Sequence, residues 1–156
     1  MAISPYLKRL RSYIGRELVV MPAVLGLVRN DAGLILFQRS ADTGEWLLPG
    51  GAVDPGESPA TALRREVLEE TGLSVQPIGL AGVFGGEGYK VRYPNGDIVD
   101  YTVIVFDCRI EGGVLGGLDD ETAELRYFSA AERPELVAPF PDALFDGPGQ
   151  RPVLFV

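Results

Sequence analysis

The chain has 156 residues, 46% of them apolar, and a formal charge of −8, so it can bury one sizeable core but hardly two, and it lacks the concentrated basic surface that binding long nucleic acid requires. It has no histidine, which excludes Ser-His and Cys-His nucleophilic mechanisms and the usual zinc sites and leaves oxygen as the ligand for any metal. The single cysteine, Cys108, excludes an internal disulfide, and its apolar strand-like surroundings favour a buried thiol over a nucleophile.

At the N-terminus, Ser4 followed by Pro5 is a cap and first-turn pair, and Tyr6, Leu7, Leu10 and Ile14 recur at helical spacing up to Gly15, which predicts a short helix over about 4–15. Leu18 to Arg29 and Leu34 to Arg39 are rich in Val, Leu and Ile around the turn residues 30–33, and read as a hairpin. Trp46 to Pro49 is a short apolar run ending in Gly50-Gly51, and Asp54-Pro55-Gly56 is a tight turn. Ser58-Pro59 repeats the cap signature, with helical periodicity to Gly72, a natural helix terminator. Strands are expected over Ile78 to Phe84, Tyr89 to Tyr93 and Ile98 to Ile110, the last two joined by the Asn95-Gly96 turn. A glycine-rich acidic loop from Gly112 to Glu121 precedes a closing strand at Leu125 to Phe128. Ser129 with Glu132 forms a capping box for a short helix before Pro134, and one more helical turn is expected at Pro141 to Phe145. No repeat or interdomain linker interrupts this order, so one domain over 1–156 is expected. No apolar run approaches the roughly 20 residues of a membrane span, and the first residues lack the apolar stretch of a signal peptide. The expectation is a cytoplasmic protein with no membrane partner.

On a helical wheel the Ser58 to Gly72 segment places Ala60, Leu63 and Val67 within about 60° of one another, the face that packs on a sheet. Glu70, Glu66 and Glu69 follow along about 100° beside that stripe. Like charges three and four residues apart repel by a few tenths of a kcal/mol per pair, so a neutralising partner is expected. Taken alone, the helix admits two readings: a wet acidic surface, or a seat for a hard cation. The preceding turn, residues 49–57, favours the second, because its carbonyls can join the carboxylates as oxygen ligands. Arg65, one turn before Glu69, can orient it, or form an ordinary surface pair.

Gly51, five residues, Glu57, seven residues, Arg65-Glu66-Val67, one residue, Glu69-Glu70, one residue, Gly72-Leu73 resembles the Nudix box at every specified position. Asp42 to Trp46 before the box and Tyr93 to Asp97 after it also resemble the flanks of small Nudix proteins, so the likeness covers roughly Leu18 to Glu132. It implies an α/β fold, an α/β/α sandwich on a mixed sheet, with the box as loop-helix-loop. It implies hydrolysis of a nucleoside diphosphate linked to another group, with Mg²⁺ or Mn²⁺ as cofactor, a small nucleotide-type substrate, and, as in many relatives, a possible homodimer.

Carried onto this chain, the resemblance implies Glu66, Glu69 and Glu70 as metal ligands and catalytic groups, the Gly50 carbonyl as a further ligand, and Gly51, Glu57, Arg65 and Gly72 as structural support. Glu66 is expected nearest the attacking water; the general base is Glu66 or a loop residue, Glu121 or Glu124. Arg39 is a candidate contact for a substrate phosphate, with an ordinary surface arginine as the other reading. Trp46 fits a base-stacking platform less well than a core position, and Tyr89 fits a strand better than a substrate marker. The other class of function the box admits is a non-catalytic Nudix-fold module that binds a nucleotide without turnover, though such modules usually lack the box acids.

Overall fold

The computed structural model describes residues 4–117 and 120–155; Leu118 and Asp119, in the expected acidic loop, lie outside the described residues. Helix α1 spans Pro5–Ile14, capped by the Ser4 hydroxyl, which accepts from the Leu7 N–H at 3.2 Å. Strand β1 (Val19–Arg29) turns into β2 (Ile35–Ser40), followed by the short β3 (Trp46–Leu47) and β4 (Gly50–Ala52). Helix α2 (Pro59–Thr71) leads directly into β5 (Leu73–Phe84), then β6 (Lys90–Arg92), β7 (Ile98–Gly113), β8 (Thr122–Phe128) and β9 (Leu154–Phe155).

These strands form one mixed sheet whose main path is β3-β2-β1-β7-β5-β9. β1 and β7 run parallel over their whole length, Val19 opposite Val99 through Arg29 opposite Arg109. From Ala23 onward both faces of this central pair are covered, so β1 is a nearly continuous apolar run there, while Val20 and Pro22 before it face outward. Val19, Met21, Ala23 and Leu27 enter one core cluster, with Phe37, Phe84, Tyr101 and Phe145. Val24 and Val28 enter the other, beneath Ala62, Leu63 and Val67 of α2. The first face is closed by Leu7, Leu10 and Ile14 of α1 and by Leu136, Phe140 and Leu144 of the tail, completing the α/β/α layering.

Several local expectations need correction. The first hairpin pairs only at its mouth, Arg29 opposite Ile35; β2 then leaves β1 for β8 and β3, while β4 takes the place beside Ala23 to Leu25. The run through Leu48 and Pro49 therefore crosses from β2 to β1, with the Gly26 N–H donating to the Pro49 carbonyl at 2.9 Å. β5 starts at Leu73, five residues before the expected Ile78, because register shifts at Ser74/Val75, Pro77/Gly79 and Leu80/Gly82 absorb its proline and glycines as bulges. Ser129 and Glu132 form one capping-box bond, the Glu132 N–H donating to the Ser129 hydroxyl at 3.2 Å, while that hydroxyl donates to the Glu132 carboxylate at 2.9 Å, but only a turn follows, since Pro134 stops a helix within two residues. β9, parallel to β5 at Gly82 and Val83, carried no sequence signal, being two residues long. The helical turn at the tail is present as a 3₁₀ turn, Asp142–Phe145. The second hairpin also stands, Lys90 to Arg92 opposite Asp100 to Ile98. No helix among the described residues is long and apolar enough to cross a membrane.

Candidate active site

α2 begins where the Ser58 hydroxyl accepts from the Thr61 N–H at 3.2 Å and ends at Gly72, whose φ of 74° is the left-handed cap that an L side chain resists. Between these stops the helix turns Ala62, Leu63 and Val67 into the sheet, and with them Glu66, Glu70 and Thr71. Ala62, not the expected Ala60, shares the buried face, a shift of the stripe that brings Glu66 and Glu70 inward and leaves Glu69 outside.

The three glutamates therefore differ. Glu66 and Glu70 are only 8% and 7% exposed, whereas the Glu69 side chain is about half exposed. Burial pushes the Glu66 carboxyl above the ordinary carboxylate range, opposed by its hydrogen bond from Arg65 and worsened by the nearby charges of Glu69 and Asp54. Glu70 reaches back across the crossing segment, where its Oε2 accepts from the Gly50 N–H at 2.7 Å. Gly51 lies against Glu66: a Cβ there would meet the Glu66 carboxyl carbon at 2.5 Å. The glycine pair is thus the surface on which the two buried acids rest.

Arg65 is the neutralising partner. Its Nε and Nη2 donate to Glu57 at 2.7 and 2.9 Å, its Nη1 donates to Glu66 at 2.8 Å and lies 3.5 Å from Glu69, and its Nη2 also reaches the Ala52 carbonyl at 3.3 Å. Hydrogen bonding to Glu57 first, and to Glu66 second, holds the guanidinium protonated above its ordinary value. Glu57 is drawn below its ordinary value mainly by Arg65, and its Oε2 also accepts from the Asp54 N–H at 3.1 Å. The box arginine and Glu57 thus clamp turn 54–57 to the helix. Among the described residues no three acidic side chains are gathered into a ready coordination shell; Arg65 bonds one oxygen of Glu66 and the Gly50 N–H one oxygen of Glu70.

A cavity of about 570 Å³ opens on this edge and is lined by Asp54, Arg65, Glu66, Glu69 and Glu121. Asp54 carries a buried Oδ1 with no hydrogen-bond partner; in the sequence it reads as a turn residue, and its one signal is its place in the loop before the helix. The two candidate loop acids separate. Glu121 lines the cavity, while Glu124 pairs with Arg39 at 3.1 Å and with Arg126. Arg39 sits opposite Glu124 in the β2–β8 register and is not among the cavity-lining residues. Trp46 packs edge-on against Phe128, with ring centroids 5.3 Å apart, and Tyr89 stacks on Phe84 at 5.9 Å, so both serve the core. Burial pushes the Cys108 thiol up to about 12, which leaves it without nucleophilic character at neutral pH.

Comparison with known proteins agrees with this geometry. The model of the NUDIX domain matches residues 19–146. A MutT-like protein of Streptomyces ambofaciens is 36% identical over 101 residues, which cover 65% of this chain and 59% of that one. An ADP-ribose pyrophosphatase of Methanocaldococcus jannaschii is 33% identical over 132 residues, 83% of this chain and 72% of that protein. Among solved structures, the MutT protein of Methanosarcina mazei superposes with a TM-score of 0.69 at 29% identity, over 86% of this chain and 99% of that chain. With the box on its loop-helix-loop and a family match over most of its length, this chain belongs to the Nudix family.

Proposed function

We propose that this protein, as a single Nudix domain, hydrolyses a phosphate anhydride bond in a nucleoside diphosphate linked to another group, and that it does so with Mg²⁺ or Mn²⁺. The observation that carries this reading is the pair of buried carboxylates, Glu66 and Glu70, on one edge of α2 beside an open cavity. Buried acids are costly unless a charge partner meets them. The donor set fits a hard cation: it is all oxygen, and Asp54 adds a buried oxygen without a partner. Glu66, Glu69 and Glu70 would hold the ion, with the Gly50 carbonyl as a further ligand. The ion supplies charge neutralisation of the diphosphate and a lowered pKa for water.

The chain's own residues do the rest. Arg65 orients Glu66 and keeps Glu69 within reach, while Glu57 fixes Arg65. Glu66 or Glu121, both lining the cavity, accepts the proton of the attacking water. ADP-ribose, the compound in the archaeal relative's name, is a nucleoside diphosphate linked to a sugar and belongs to the proposed substrate class.

A panel of nucleoside triphosphates, ADP-ribose, nucleotide sugars, dinucleoside polyphosphates and capped RNA ends, assayed with Mg²⁺ and with Mn²⁺, identifies the substrate. On that substrate Glu66→Gln and Glu70→Gln are each expected to lower kcat by roughly 100-fold or more, and chelation by EDTA to abolish formation of the nucleoside monophosphate. Unchanged turnover in either variant would refute the metal assignment. Failure on every member of the panel would return the binding-module reading.

A further inference from the structure

The cavity does not end at the carboxylates. It continues to Leu7, Met21, Tyr93 and Tyr101, and this far half is built differently from the first. Leu7 belongs to α1, which lies before Val19, outside the residues that match the family. No residue of α1 is fully buried, and a helix of ten residues is marginal alone. What holds it is the packing of Leu7, Leu10 and Ile14 on the sheet and the guanidinium of Arg11. Arg11 donates to the Glu17 carbonyl at 2.6 Å and to the Ile98 carbonyl at 3.0 Å, and lies 3.6 Å from Asp97. The helix is therefore tied to the turn between β6 and β7, which carries Tyr93 to Asp97 on the other side of the same cavity.

The chemistry of this half is apolar with a neutral polar edge. The Tyr93 and Tyr101 hydroxyls are 2.6 Å apart, and desolvation raises both above the ordinary phenol value, so one neutral hydroxyl donates to the other. Asp97, the acid on this side, is engaged by Asn95 at 3.0 Å and by Arg11. Among the described residues that line this half there is no lysine or arginine to meet a phosphate, whereas a nucleobase, flat and apolar on its faces with donors and acceptors at its edge, matches such a wall. We propose that α1 and the 93–97 turn form the nucleoside-binding wall of the cleft, with Leu7 and Tyr93 as the residues that set which base is accepted. This rests on the hydrolase reading above, with the diphosphate at the carboxylate end.

The test is binding without catalysis. In EDTA, calorimetric titration of the full chain with AMP, GMP, CMP and UMP is expected to show at least one that binds more tightly than ribose 5-phosphate. Leu7→Trp, which fills the chamber from a half-buried position, is expected to weaken that nucleotide by tenfold or more and to leave ribose 5-phosphate unchanged. Leu7→Ala, which enlarges the chamber without adding bulk, is expected to shift the ratio of purine to pyrimidine affinity by threefold or more. Equal binding of ribose 5-phosphate and all four nucleotides overturns the proposal, as does a Leu7→Trp variant with unchanged affinity or a Leu7→Ala variant with an unchanged ratio. Glu66→Gln separates the two readings: it should lose hydrolysis and keep nucleotide binding. Retained hydrolysis there would refute the metal site and leave the wall standing.

Discussion

At the scale of single residues, the site is governed by what lies next to Glu66. Its carboxyl is pressed between Arg65, 2.8 Å away, and the bare backbone of Gly51. Arg65 supplies the charge that burial demands, and Gly51 supplies the space. A methyl group at position 51 would have to displace the end of the Glu66 side chain, since the backbone there is already paired with Val24. Gly51→Ala is therefore expected to move a reacting group by an ångström or so and to lower kcat roughly tenfold or more. Because the displaced atoms are the flexible end of a side chain, the melting temperature should fall far less than activity. Equal activity in the variant, measured on the substrate found by the panel, would show that Glu66 does not act from its present position. Asp54 belongs to the same scale: its buried Oδ1 is a further oxygen at the cavity that residue type alone could not distinguish from ordinary turn chemistry.

At the scale of elements, α2 is the part whose boundaries matter most. Its register decides that Glu66 and Glu70 point inward while Glu69 stays at the rim, and that register is pinned at both ends. Ser58 satisfies the Thr61 N–H and pairs with the Thr61 hydroxyl at 2.9 Å; Gly72 returns its own N–H to the Leu68 carbonyl at 2.9 Å. Ser58→Ala removes both Ser58 contacts and is expected to cost about 1 kcal/mol, seen as a fall of about 2–4 °C in Tm. A variant as stable as the parent would mean that sheet packing alone sets the helix start. α1 obeys a different balance. It has good caps but a thin apolar face, so its place depends on Arg11 and on the turn it grips.

At the scale of the whole molecule, the far end of the sheet is closed by an ion pair that the box does not involve. Arg151, in the tail, donates from Nη2 to both oxygens of Asp107 on β7 at 2.9 Å and from Nε to the Leu144 carbonyl at 3.0 Å. Both side chains are almost wholly buried, 3% and 6% exposed. Arg29 of β1 donates to the Phe145 and Asp146 carbonyls at 3.1 and 2.9 Å, so the tail is stitched across the central parallel pair. Breaking a buried pair leaves an uncompensated charge, and Arg151→Met is expected to cost about 3 kcal/mol in chemical denaturation. Adding Asp107→Asn should recover part of that loss, because it removes the orphaned charge. No recovery would place the cost in lost packing of the tail.

The sequence by itself determined the elements that strong local signals bound at both ends. Cap, proline and glycine placed α2 to within a residue, the Asn95-Gly96 turn placed the second hairpin, and the spacing of the acids carried the family resemblance, because periodicity and turn chemistry act over a few neighbouring residues. What only the tertiary structure decided depends on residues distant in the chain. Which glutamates are buried follows from how α2 seats on Val24 and Val28. That Glu121 lines the cavity while Glu124 pairs with Arg39 follows from β8 lying against β2 rather than from any local pattern. The departure of β2 from β1, the two-residue β9, and the meeting of α1 with the 93–97 turn are likewise settled by long-range pairing and desolvation, energies that no short window of sequence contains.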